Sequence, residues 1–141
     1  MQLGTILLAD KFINDGKDSA IINFVGQFIF KQLPKNRTFT IVFTLLDTKI
    51  GDKYNVHVTI TDPSKEEIFE GTINEVPLTK NMKLAHGKLL SGVVSAVCPQ
   101  VTFKKAGIYD VNVFVENITS DERTADQCHF AVEEVTSTNG K

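Results

Sequence analysis

The chain has 141 residues, a formal net charge of -2, ten Phe, two Cys and no Trp. That length supports one domain with a core that needs neither disulfide nor metal. The near-neutral, well-mixed charge supplies no field that would gather nucleic acid or an anionic membrane, and no segment reaches transmembrane length.

Taken in chain order, the residues read as strands. Met1 to Asp10 holds a short apolar run with no basic residue before it, too short for a secretory signal, so a cytoplasmic protein is expected. The first strand runs from about Leu3 to Ile13 and is followed by Asn14-Asp15-Gly16-Lys17, a strong hairpin turn signal. A second strand is predicted over Ser19 to Phe30, broken by Pro34 and Asn36. The third, Thr38 to Asp47, places Phe39, Ile41, Phe43 and Leu45 on one face. The fourth, Tyr54 to Thr61, turns Tyr54, Val56, Val58 and Ile60 inward and Asn55, His57 and Thr59 outward. Asp62-Pro63-Ser64-Lys65 is a turn, with Pro fixing its second position.

A fifth strand, Glu67 to Val76, leads into a connection over Pro77 to Lys88 with a helical turn expected around Lys80 to Ala85. Leu89 to Val97 is a sixth strand ending near Pro99, with a short extension at Val101 to Phe103. After Gly107 comes the clearest period-two pattern of the chain, Tyr109, Val111, Val113 and Val115 on one face. A last strand spans about Thr124 to Val135. The expectation is one all-β domain over residues 1–136 with a frayed tail at 137–141. Its expected architecture is a two-sheet antiparallel sandwich of seven or eight strands, immunoglobulin-like or a related Greek key, with a closed barrel as the main alternative. Tyr109 opens the penultimate strand, where a tyrosine hydroxyl often ties the strand to the preceding corner.

Leu8-Ala9-Asp10 with Asn14-Asp15-Gly16-Lys17, the Phe24-to-Phe30 strand before Leu33-Pro34, Ile60-Thr61-Asp62-Pro63, and Phe103 with Gly107 and Tyr109 together resemble the DUF6941-type family of small bacterial and phage β-domain proteins. The similarity covers roughly residues 3 to 135, on turn and core positions. It implies a stand-alone bacterial β-domain and carries no catalytic residue onto any position.

The chemistry-bearing residues do not assemble into a site on paper. His57 faces outward, His129 and Cys128 are adjacent and so point to opposite faces, and His86 lies in the long connection. Cys98 and Cys128 are expected as buried free thiols. No Cys-x2-Cys or His-x3-His spacing suggests zinc. The chain is therefore read as a non-enzyme with no catalytic residue, no metal ligand set and no cofactor. The sequons at Asn36 and Asn117 are read as chance matches.

Two rims are charged. One carries Asp15, Asp18, Asp47, Asp52, Asp121 and Glu122, interleaved with Lys and Arg; loops around Asp15, Asp52 and Asp121 are the alternative reading, a ligand- or cation-binding rim. The other carries Lys31, Lys35, Arg37, Lys65, Lys104 and Lys105 but no aromatic residues to stack on bases.

The departure from a half-solvated sheet is the N-terminal hairpin. Ile21, Val25 and Ile29 form an apolar face opposite Ala20, Ile22, Phe24, Phe28 and Phe30, and the first strand is apolar on both faces too. Something must cover the second face: the Pro77–Lys88 connection through Leu78, Met82 and Leu84, or a protein partner. Where a partner provides the cover, Ile21, Val25 and Ile29 are the candidate interface of a structural or protein-interaction module, and the partner is another protein or a second copy of the chain in a homodimer.

Overall fold

The structure, a computed structural model, describes residues 1–14, 19–49, 51–77 and 90–135. Among them are nine strands and no helix. In chain order these are β1 (Gln2–Asn14), β2 (Ser19–Val25), β3 (Gln27–Phe30), β4 (Lys35–Thr48), β5 (Lys53–Thr61), β6 (Glu67–Pro77), β7 (Leu90–Phe103), β8 (Gly107–Asn117) and β9 (Arg123–Glu134). They form a four-stranded sheet, β2-β1-β4-β7, and a five-stranded sheet, β3-β9-β8-β5-β6. The expected turn at residues 15–17, the connection 78–88 with its helical turn and its covering residues, His86, and the tail at 137–141 lie outside the described residues.

Alternation is obeyed where it was clearest. Tyr109, Val111, Val113 and Val115 of β8 are buried, as are Tyr54, Val56, Val58 and Ile60 of β5 and Phe39, Ile41, Phe43 and Leu45 of β4. The inner residues of both sheets join one buried cluster. Rings make the join: Phe28 of β3 lies 5.3 Å from Phe39 of β4, and Phe103 of β7 meets Tyr109 of β8 edge-on at 5.3 Å. Each such pair contributes about 0.5–1.5 kcal/mol beyond its buried area.

The Tyr109 hydroxyl donates to the Lys105 carbonyl oxygen at 2.6 Å and so ties β8 to the corner that precedes it. Gly107 opens that strand at φ 139, and a Cβ there would lie 2.7 Å from Pro63 Cγ, so the corner requires glycine. The Asp62 turn beside it is closed by its own carboxylate, which accepts from the backbone N–H groups of Ser64 (2.8 Å) and Glu66 (2.9 Å).

Three expectations are corrected. The strand predicted over Ser19 to Phe30 is two strands in different sheets: β2 pairs with β1, and β3 pairs with β9. Gly26 makes the bend between them. Val25, opposite Leu8, packs toward the core, and the next core residue is Phe28. An odd step of three between two inward residues reverses the face pattern, which an unbroken strand cannot do. The strand count therefore rises to nine among the described residues.

Second, the pairing is not antiparallel throughout, because β3 runs parallel to β9, with Gln27 opposite Ala131 and Phe30 opposite Glu134. Third, Pro99 does not end a strand. β7 runs through it, with three residue steps from Val101 to Cys98 facing two from Arg37 to Phe39 on β4. A bulge accepts a proline that lacks an N–H. Gln100 takes φ 51 there, and its N–H donates to Thr38 Oγ1 at 3.0 Å.

Candidate functional site

The outer side of the four-stranded sheet is built by register. Phe24 stands opposite Ala9, Ala9 opposite Thr40, and Thr40 opposite Val97, one row across all four strands. Leu7, Val42 and Ser95 form the next row, and Thr44 pairs with Val93 beyond it. Their neighbours Leu8, Ile41, Phe43, Val94, Ala96 and Cys98 are buried on the inner side, so alternation sends these rows outward. Phe24 is 65% exposed and Val97 63%, flanking Ala9 at 0% and Thr40 at 5%.

Of the three residues singled out from sequence, the structure brings only one to this surface. Ile21 lines an apolar hollow of about 220 Å³ with Leu7, Phe12, Val42 and Val93. Val25 packs on the core side, and Ile29 is exposed on β3 in the other sheet. Ile21, Val25 and Ile29 therefore share no single face, because the chain changes sheet at Gly26. Between Ile21 and Phe24 the strand is also rotated at Asn23, which has φ 54 and donates its side-chain amide to Asp10 Oδ2 at 2.9 Å. None of the residues in these rows or lining the hollow is charged.

The outer side of the five-stranded sheet is of another kind. Asp110 lies there with both carboxylate oxygens engaged: Oδ1 with His129 Nδ1 at 2.7 Å and Oδ2 with Lys65 Nζ at 2.9 Å. These hydrogen bonds, Lys65's first, hold its carboxyl below the usual carboxylate range. In the rows beyond it, His57 pairs with Phe114 and Phe114 with Ala125, while Thr59 pairs with Asn112 and Asn112 with Gln127. His57, Asn112 and Gln127 are outward strand residues of no distinct motif. Their proximity is a product of register, and the signal available in sequence was a lone outward aromatic, Phe114, on an otherwise polar face.

The acidic rim is held in pairs. Asp52 Oδ2 accepts the Asn117 side-chain amide at 2.9 Å, and Asp121 stands 4.0 Å from the Arg123 guanidinium. Asn117 is buried, and its Oδ1 also accepts from the N–H groups of Thr119 (2.9 Å) and Ser120 (3.1 Å), so this asparagine organises the loop. Asp15 lies outside the described residues. No group of three or more His, Cys, Asp or Glu side chains that could hold a metal ion occurs among the described residues. At the basic rim, Arg37 bonds Asp10 at 2.6 Å and Lys105 stands 3.7 Å from Asp62.

Cys98 is buried with its thiol pushed up to about 12 by burial. Cys128 is half-buried rather than buried, its thiol raised to about 11 by burial and then by Asp126. Both are free, and Cys128 and His129 face opposite sides of β9, as alternation requires. No helix among the described residues is long and apolar enough to cross a membrane.

No family model matches the chain, and no curated protein matches it. Among solved structures it is similar to a family 123 glycoside hydrolase from Clostridium perfringens, studied for glycolipid glycan hydrolysis, at 10% identity and a TM-score of 0.47. The match covers 95% of this chain and 28% of that one, so this chain spans little more than a quarter of the hydrolase's length.

Proposed function

We propose that this chain is a β-sandwich interaction module that works by contact rather than catalysis, and that its partner is a second copy of itself. The reading rests on the uncharged row Phe24–Ala9–Thr40–Val97, with Phe24 and Val97 both more than 60% exposed. Covering such a row gains on the order of 25 cal/mol per Å² of apolar area removed from water. A contiguous apolar patch on a sheet face marks an association surface. Identical copies meet most often across a two-fold axis, and an uncharged row is self-complementary without any matching of opposite charges. The contact is the outer side of the four-stranded sheet, in place of the Ile21, Val25 and Ile29 face.

Phe24→Lys and Val97→Lys test this by light scattering after size exclusion, beside circular dichroism. The wild type is expected as a dimer and both variants as monomers with unchanged strand signal, since each would bring unpaired charge into a dry contact. Val25→Lys, aimed at the core side, is expected to lower the melting temperature. A monomeric wild type at high micromolar concentration overturns the reading, as does a dimer that survives both outer-face charges.

A further inference from the structure

The groove on the outer side of the five-stranded sheet is independent of that dimer contact. It has a volume of about 410 Å³ and is lined by His57, Thr59, Asn112, Phe114, Gln127 and Asp126, among others. The dip arises because Ala125 is short and stands opposite the long Phe114 and two residues from Gln127. Phe114 is half-buried, with its ring centroid 5.6 Å from the His57 ring. It gives the groove an aromatic surface among polar groups.

The polar groups are uncommitted. The side-chain amides of Asn112 and Gln127 make no hydrogen bond to protein among the described residues. His57 uses Nδ1 on Thr72 Oγ1 at 3.2 Å, which leaves Nε2 without a protein partner.

We propose that this groove binds a neutral saccharide chain. A sugar ring presents an apolar C–H face to an aromatic ring and, at its edge, hydroxyls that both donate and accept. Side-chain amides also do both. An apolar ligand would leave two amides desolvated and unpaired. An anionic ligand or a nucleic acid would find no Lys or Arg lining the groove. The groove is open along the sheet, which suits a segment of a chain better than an enclosed single sugar.

The test is a titration of the 15N-labelled protein with cellohexaose, maltohexaose and chitohexaose, followed by amide shifts. At least one of the three should move the resonances of residues 57, 112, 114 and 125–127 in a saturable way. Asn112→Ala and Gln127→Ala should each weaken that binding about tenfold, the loss of one well-made hydrogen bond. Asn112 is half-buried and Gln127 exposed, and neither side chain is bonded to protein among the described residues, so the fold should be kept, and the wild-type spectrum outside the groove is the control. Phe24→Lys should leave sugar binding intact, which separates this site from the dimer contact. The proposal is overturned if none of the three sugars shifts these residues at about 10 mM, a concentration that detects dissociation constants of a few millimolar. Shifts confined to other surfaces, or binding that Asn112→Ala and Gln127→Ala leave unchanged, overturn it equally.

Discussion

Phe24 and Phe114 are both outward aromatic residues on strands, yet their surroundings differ. Phe24, on the edge strand β2, is joined across the sheet to Ala9, Thr40 and Val97. Phe114, in the middle of the five-stranded sheet, lies between His57 and Ala125, with Asn112 and Gln127 in the adjoining row. The first setting gains free energy when any complementary apolar surface removes water from it. The second gains only if the incoming group also replaces the water bonded to the amides. One exposed ring thus favours a flat partner and the other a hydroxylated ligand, and the cross-strand neighbours decide which.

The largest effect that sharpens this contrast comes from one sheet read on both sides. Phe43→Ala removes a ring buried in the core and should cost about 3–5 kcal/mol in a denaturant melt. Phe24→Ala, on the outer side of the same sheet, should change the stability of the monomer by no more than about 0.5 kcal/mol. A loss under ~1 kcal/mol for Phe43→Ala would mean that β4 does not lie at the centre of the core.

The polar face should announce itself in acid. Asp110 has a folded-state pKa held below its ordinary value of 3.8 by hydrogen bonds from Lys65 and His129. Its contribution to stability is therefore present above the unfolded value and is lost as pH falls through the lowered folded one. Asp110→Asn should lower the melting temperature at neutral pH and flatten its decline between roughly pH 5 and pH 2. Calorimetry across that range, with parallel curves for wild type and variant, would show that the pair with Lys65 and His129 contributes nothing.

The smallest expected effect is chemical. With thiols raised to about 12 and about 11, Cys98 and Cys128 should remain unlabelled by a thiol reagent at neutral pH in the native state and react at once in denaturant. Cys128, half-buried beneath the polar face, should be the faster of the two if sheet opening exposes either, and mass spectrometry of a time course resolves the order.

Much of the fold was legible because local alternation determines which side chains are buried. Tyr109 to Val115 and Tyr54 to Ile60 show this, and the Tyr109 hydroxyl closes on its corner as its position foretold. The switch of sheets between Val25 and Phe28 was not legible. A single glycine marks it, and continuous apolar character on both sides reads as one long strand. The partner of β3 is also invisible locally, since it is a strand about a hundred residues further on, and loop closure of that kind leaves no local trace. Ile21, Val25 and Ile29 do not share one face for the same reason: the strand along which that face was read belongs to two sheets. The groove depends on register between β5, β8 and β9, which alternation alone leaves open by two residues in either direction.

The parallel pairing of β3 with β9 also sets an order in time. Phe28 and Phe30, made early, sit in a ring cluster with Phe130 and beside a strand that ends at Glu134. During synthesis these aromatic residues leave the ribosome long before β9 exists to cover them, and pairings so distant in sequence form slowly. Until then β3 offers a bare edge next to exposed rings, the kind of surface that recruits wrong neighbours. The nascent chain is accordingly most vulnerable to aggregation just before β9 emerges, and a chain truncated ahead of Arg123 would remain in that condition.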